Sequence, residues 1–188
     1  MSRSVNPWKI REAARCIISG GLVAYPTEAV FGLGCDPLNG AAMGRLLDLK
    51  RRPVEKGVIL IAAHFDQLRP FIKPLAEPRM EPILASWPGP HTWLLPAADN
   101  LPEWLTGKHD SLAVRVTAHP LAAALCQACN SPIVSTSANR SGQHPARSPL
   151  QVRLRLGRGV DYILNGSLGG NRAPSTIRDG ATGRVLRG

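Results

Sequence analysis

Ala41-Ala42-Met43-Gly44-Arg45-Leu46-Leu47-Asp48-Leu49-Lys50-Arg51-Arg52-Pro53-Val54-Glu55-Lys56-Gly57-Val58-Ile59-Leu60-Ile61-Ala62 passes from a helical pattern to a strand pattern, and the break between them is cationic. Met43, Leu46, Leu47 and Leu49 are the apolar residues of a helix predicted over residues 41–50. The unbroken apolar run at residues 58–62 reads as a buried strand. Arg52 precedes a proline, which biases it away from helix and toward extended backbone. Residues two apart on an extended chain share a face, so Lys50 and Arg52 point the same way if the helix has ended by Lys50. The alternative is a structural role, since cations at a helix C-terminus complement its dipole.

The same alternation extends in both directions. Upstream, Asn6 as cap, Pro7 in the first turn and Gly20 as stop frame a helix with Ile10, Ala13, Ala14, Ile17 and Ile18 on its apolar face. Residues 22–25 then read as a strand stopped by Pro26. Downstream, short helices are expected over residues 66–71 and 81–86, in a region broken by Pro74, Pro78, Pro82, Pro88 and Pro90. Residues 92–95, 112–116 and 133–135 read as strands, residues 119–129 and 149–156 as helices, and residues 162–164 and 184–186 as short late strands. Strands and helices mingle without repeats or a linker of distinct composition. The expected fold is therefore α/β: a single domain over residues 1–188 with a twisted mixed sheet flanked by helices.

Composition narrows the partners. The 188 residues are 44% hydrophobic, enough for a substantial core. Lysine and arginine outnumber aspartate and glutamate by 23 to 13, a net charge of +10, which favours anionic partners such as nucleotides, RNA or acidic protein surfaces. No apolar run approaches the roughly 18 residues of a membrane span, so no membrane partner is expected. Residues 1–7 lead into the first helix without the apolar core of a signal peptide, which implies a cytoplasmic protein. Cys126-Gln127-Ala128-Cys129 has redox or zinc spacing, yet it falls in a helical pattern with no second pair nearby, so buried structural thiols are expected. The five histidines show no metal spacing and are expected at the surface or in loops.

A second stretch, Ser135-Thr136-Ser137-Ala138-Asn139, follows the strand-like Pro132-Ile133-Val134. By the period of two, Ser135, Ser137 and Asn139 share a face. A cationic arm and a row of neutral donors suit a polyanion such as a nucleotide triphosphate. Serine-rich stretches are also common in plain loops.

Together with Tyr25-Pro26-Thr27-Glu28, Phe31-Gly32-Leu33-Gly34-Cys35-Asp36-Pro37, Ser111-Leu112-Ala113-Val114-Arg115-Val116 and Pro174-Ser175-Thr176-Ile177-Arg178-Asp179, these stretches closely resemble the YrdC-like family in its short bacterial form. The resemblance runs in order over essentially the whole chain. It implies an open sheet around a basic concave cavity, and an enzyme that joins L-threonine, bicarbonate or carbon dioxide, and ATP into threonylcarbamoyl-adenylate and pyrophosphate. That product feeds the modification of adenosine 37 in tRNA. A separate transferase complex takes it there, and a direct auxiliary contact to tRNA is compatible with this role.

Such a reaction needs no protein nucleophile, because its barrier lies in joining two anions and in charge growing on phosphate. By resemblance, Lys50, Arg52, Ser137 and Asn139 form the catalytic and ATP-binding set, with Lys56 as a further phosphate contact. Arg115 matches the threonine-carboxylate site, with Ser135, Thr27, Ser175 and Thr176 around the amino acid. Each has a structural alternative: Arg115 as a paired strand residue, Ser175 and Thr176 as turn caps. Mg2+ would arrive with ATP, bound mainly by phosphates. Two positions depart from the pattern, Ala29 where many members have threonine and Ile61 where many have histidine. The chain also ends at Gly188 without the second domain of longer relatives. Two rival readings are a non-catalytic binder of double-stranded RNA, and a domain making carbamoyl-adenylate from carbamoyl phosphate. Aromatics at 5%, without aromatic-interleaved basic motifs, disfavour an RNA module that reads single strands, and the lack of accompanying modules disfavours the second.

Overall fold

A computed structural model of the chain describes residues 6–171 and 173–187; residues 1–5, the lead-in discussed above, lie outside the described residues. Helices begin where a side chain can serve the first free amides. In α1 (Pro7–Ile18) the Asn6 side chain accepts from the Trp8 amide at 3.0 Å, and in α2 (Gly40–Lys50) Asn39 accepts from Ala42 at 3.0 Å. Helix α3 spans Glu77–Ala85, α4 is one turn at Glu103–Thr106, α5 spans Pro120–Cys129 and α6 spans Pro149–Leu156. Ser148 caps α6, its hydroxyl accepting from the Gln151 amide at 3.2 Å.

Among the described residues nine strands form one sheet: β1 (Val23–Pro26), β2 (Phe31–Gly34), β3 (Ile59–Ala62), β4 (His91–Pro96), β5 (Ser111–Val116), β6 (Ile133–Ser137), β7 (Tyr162–Ile163), β8 (Thr176–Asp179) and β9 (Val185–Arg187). Their order is β7-β1-β2-β6-β3-β5-β4-β8-β9. The pairs β1–β7, β3–β5 and β4–β8 are parallel and the others antiparallel, so the sheet is mixed, as the alternation of elements predicts.

Period-two alternation sorts the central strands into two faces. On one face Ala24, Leu33, Leu60, Val114 and Val134 pack with Met43 and Leu46 of α2. On the other Tyr25, Ile61 and Ile133 pack under Ala13, Ala14 and Ile17 of α1 and Leu121, Ala122 and Leu125 of α5. Ile61 opposes Ile133 beneath this cover, and the next pair on the same face is Ile59 opposite Ser135. There apolar packing gives way to a polar hollow. Among the described residues, no helix is long and apolar enough to cross a membrane.

Several elements differ from expectation. Residues 66–71 form two 3-10 turns, Phe65–Gln67 and Arg69–Phe71. Helix α3 starts earlier than residue 81 because Pro78 occupies its first turn, where no amide hydrogen is needed, and it accommodates Pro82 inside. Strands β2 and β8 were not expected. Gly34 in β2 lies so close to β6 that a Cβ there would sit 2.0 Å from the Val134 carbonyl oxygen. His119 is buried, not superficial: its Nδ1 accepts from the Ala122 amide at 3.4 Å as the cap of α5, and its Nε2 lies 3.0 Å from the Ser167 carbonyl oxygen. All four cysteines are free, and burial raises the Cys126 thiol's pKa and pushes those of Cys35 and Cys129 up to about 12.

Candidate active site

The turn after α2 decides where its cations go. Helix α2 continues through Lys50, and Arg51 then adopts a left-handed conformation at φ 51° as the C-cap. Lys50 and Arg52 therefore do not share an extended face: the left-handed residue sends them to different neighbours. Lys50 is 3% exposed, and its Nζ donates to the backbone carbonyls of Ser137 and Asn139, the latter at 2.8 Å. Burial first, and then the neighbouring Arg52, hold its pKa down at about 8. Lys50 thus ties the end of α2 to the end of β6 from beneath.

Arg52 instead reaches the open side. Its Nε and Nη2 donate to the Gly57 carbonyl at 3.2 and 2.9 Å, which aims the guanidinium along the wall of the hollow. Gly57 itself sits at φ 55°, and a Cβ there would meet the Leu105 and Thr106 carbonyl oxygens at 2.8 Å, so glycine is required to place that acceptor.

The main cavity has a volume of about 330 Å³. Arg52, Arg115, Ser135, Ser137, Thr27 and Ser175 all line it, together with Ala29. These residues come from five places in the chain, and the sheet register joins them: Ile59 opposes both Ala113 and Ser135, Ile61 opposes Arg115, and Gly32 opposes Ser137. Lys50, Asn139 and Thr176 lie outside the lining. The Asn139 amide nitrogen donates to the Arg140 and Gln143 carbonyls at 2.9 and 2.8 Å, closing the turn that follows Ser137. Thr176 opens β8 opposite His91. Ile61, the second departure noted above, is fully buried in the core.

A second hollow of about 310 Å³ adjoins the first and shares Arg52, Val58, Ile59 and Arg187 with it. Lys56, His109 and Ser111 add polar groups, while Leu94, Leu105, Ile177 and Leu186 add apolar surface.

Arg187, at the end of β9, escaped sequence reasoning because nothing local marks it among the chain's many arginines. It stands between the two hollows, and its Nη2 lies 3.4 Å from the Ser175 carbonyl oxygen. Burial and then Arg187 lower the Arg52 pKa, and burial and then Arg115 lower that of Arg187. Arg187 therefore stands as the electrostatic link in the row, disfavoured by Arg115 on one side and disfavouring Arg52 on the other. Thr92 was likewise missed; its hydroxyl hydrogen-bonds the Ser175 hydroxyl at 2.9 Å.

The counterweight is Glu28. One carboxylate oxygen accepts from the Thr117 hydroxyl at 2.7 Å and the Ala118 amide at 3.1 Å, and the other lies 3.4 Å from Arg115 Nη2. Burial raises its pKa, but Arg115 and the hydrogen bonds outweigh that cost, so the carboxyl is held below its ordinary value. Residues 164–171 strap across this corner, with the Gly169 and Asn171 amides donating to the Thr27 and Glu28 carbonyls at 3.1 and 2.9 Å. One carboxylate facing three guanidiniums leaves a strong local excess of positive charge. Among the described residues, no group of three or more histidine, cysteine or acidic side chains is placed to hold a metal ion.

The family model Sua5_yciO_yrdC, described as "Telomere recombination", matches residues 15–188. The chain is 56% identical over 180 residues to the threonylcarbamoyl-AMP synthase of Nitrosococcus oceani, covering 96% of this chain and 97% of that protein. Among solved structures, Pyrococcus abyssi Sua5 complexed with L-threonine superposes with a TM-score of 0.88 at 36% identity. That match covers 94% of this chain but only 52% of the Sua5 chain, so this chain spans about half the length of that relative. Escherichia coli YciO superposes with a TM-score of 0.83 at 26% identity, over 99% of this chain and 91% of its own.

Proposed function

Because the chain belongs to the Sua5/YciO/YrdC family, we propose that it is a nucleotidyltransferase making L-threonylcarbamoyl-adenylate and pyrophosphate from L-threonine, bicarbonate or carbon dioxide, and ATP, as one domain over residues 1–188. The observation carrying this reading is the convergence of Arg52, Arg115 and Arg187 on one cavity in which, among the described lining residues, the single carboxylate, Glu28, is already engaged. Like charges brought together around Arg187 repel at a cost in stability, and a bound polyanion relieves it.

The threonine amine combines with carbon dioxide to give a carbamate and a proton. A carbamate oxygen then forms a bond to the α-phosphorus of ATP as the bond to the pyrophosphate oxygen breaks. Arg115 takes the threonine carboxylate as a bidentate partner, and Ser135, Thr27 and Ser175 surround the rest of the amino acid. Arg52, Arg187 and Lys56 neutralise the triphosphate, and the Ser137 hydroxyl donates to it. Lys50 and Asn139 hold the turn that presents Ser137, so they serve the phosphates through the backbone. Magnesium enters as part of the MgATP substrate, carried by phosphate oxygens. The second hollow, apolar below and cationic at its edge, suits the adenosine. Catalysis is positioning and electrostatic stabilisation of phosphate charge.

The product is a threonylcarbamoyl donor for tRNA adenosine 37, a role in the cytoplasm beside the transferase complex that consumes it; tRNA itself is an auxiliary contact. Pyrophosphate release from MgATP and bicarbonate tests the assignment. Release should require L-threonine. Turnover with carbamoyl phosphate and none with threonine would reassign the site to carbamoyl-adenylate formation.

A further inference from the structure

Glu28 has no part in the chemistry proposed above, yet its side chain is only 9% exposed and it stands in the cavity wall beside Arg115, whose side chain is 8% exposed. A charge at that depth is costly unless hydrogen bonds and an opposite charge offset the lost hydration. The two partners meet that demand in different ways.

Glu28 is rigidly held. It lies in the turn joining β1 to β2, where the Thr27 amide and hydroxyl both donate to the Val30 carbonyl, at 3.1 and 2.7 Å, and the Asn171 amide donates to the Glu28 carbonyl. Its Oε1 accepts from the Thr117 hydroxyl and the Ala118 amide, and that hydroxyl in turn accepts from the His119 amide at 3.1 Å. Its Oε2 is buried without a hydrogen bond and faces Arg115 Nη2 at 3.4 Å. Arg115 is the opposite case. Among the described residues its side chain donates no hydrogen bond to the protein, and its Nε is buried without a partner. The guanidinium is therefore held by charge: Glu28 attracts it from within, and Arg187 repels it from across the cavity. Nε and Nη2 form one edge of the planar fork, and that edge is turned inward. The end carrying Nη1 is what the group can offer the cavity.

We propose that Glu28 is a positioning residue for amino-acid recognition, holding Arg115 by its inner edge so that the outer end stands ready for a substrate carboxylate. This rests on the function proposed above, in which that carboxylate is threonine's. Glu28 does not meet the substrate itself, because Oε1 is occupied and Oε2 is buried behind the guanidinium. An arginine has many rotamers, and one that is ordered before the ligand arrives loses less entropy on binding. The rigid member of the pair supplies that order to the member that has no hydrogen bond of its own.

The test titrates L-threonine, L-threoninamide and MgATP into wild type, Glu28→Gln and Thr117→Val by calorimetry. Glu28→Gln keeps the shape of the side chain and removes its charge, whereas Thr117→Val keeps the charge and frees Oε1 from the hydroxyl. The threonine Kd should rise about tenfold or more in Glu28→Gln, and by about threefold in Thr117→Val, while the Kd for MgATP stays within about twofold in both. Wild type should prefer threonine to threoninamide, which has no carboxylate for Arg115 to meet, and Glu28→Gln should lose most of that preference. Threonine binding that is unchanged or tighter in Glu28→Gln overturns the proposal, since the carboxylate would then be idle or competing with the substrate for Arg115. Equal weakening of threonine and MgATP overturns it as well, making Glu28 a support of the whole cavity. So does a preference over threoninamide that survives intact. If Glu28→Gln does not fold, Thr117→Val decides, and unaltered threonine binding there overturns the proposal. A wild-type protein that does not bind threonine would refute the proposed function, a result distinct from any difference among the variants.

Discussion

Arg52 and Lys50 are separated by one residue and do different work, and their substitutions should fail differently. Arg52→Ala removes a guanidinium that lines the cavity and is proposed above to meet the triphosphate; on that proposal the loss is about 1.5–3 kcal/mol for each charged hydrogen bond in the transition state, roughly 10- to 150-fold in kcat/KM. Arg52→Lys should also be impaired because the planar fork is gone; steady-state kinetics retaining more than half of wild-type activity in Arg52→Ala would remove it from the site. Lys50→Met should act mainly on stability, since it strips the donor from two buried carbonyls. Its titration has a definite sign. With a pKa of about 8 in the fold against an ordinary value of 10.5, native Lys50 sheds its proton first as pH rises, while the unfolded chain keeps it. Stability referable to Lys50 should therefore increase between those two values and be least below the lower one. Urea midpoints of wild type and Lys50→Met, compared at about pH 7.5 and about pH 10, read this directly. Glu28 works in the opposite range: its carboxyl is held below its ordinary value, so its contribution is present at neutral pH and lost on acidification. Glu28→Gln should flatten the acid limb of the stability profile.

At the scale of elements, strand β6 positions the site, and its contact with β2 sets how closely the sheet closes beneath it. A Cβ at Gly34 would collide with the Val134 carbonyl, so Gly34→Ala should destabilise by about 1–3 kcal/mol or more and widen the β2–β6 spacing that brings Gly32 opposite Ser137. Chemical denaturation checks the first effect, and a rise in KM for ATP checks the second. Strand β9 offers a complementary case. Arg187 sits at its end between the two hollows, so Arg187→Ala should raise KM for ATP more than KM for threonine while leaving the unfolding midpoint close to wild type. Equal effects on both substrates would argue that Arg187 shapes the cavity and does not meet the phosphates.

At the scale of the whole molecule, the +10 net charge acts together with the local arginine cluster, and salt separates the two. Exposed charges are screened within about 10 Å at 0.1 M ionic strength, whereas contacts inside a cavity are screened less. Binding of ATP should accordingly weaken only modestly between low and moderate salt, while non-specific RNA binding should fall steeply. Saturating ATP should also raise the melting temperature of the wild type by linkage, and that gain should shrink in Arg52→Ala and Arg187→Ala.

Local signals in the chain determined the α/β class, the capped helix start at Asn6, and the hydroxyl row at Ser135 and Ser137, because caps, breakers and period-two alternation act over a few residues. Proline-dense stretches hid the true span of α3, and glycines left β2 without a strand signal, since in both places long-range packing overrides local preference. The separate fates of Lys50 and Arg52 turned on one left-handed residue, Arg51, whose conformation no propensity announces. Only the folded sheet, through its register, brought Arg115 and Arg187 to Arg52 and set Glu28 against Arg115. Charges distant in sequence meet by strand order, and strand order is settled by which hydrophobic faces can be buried together.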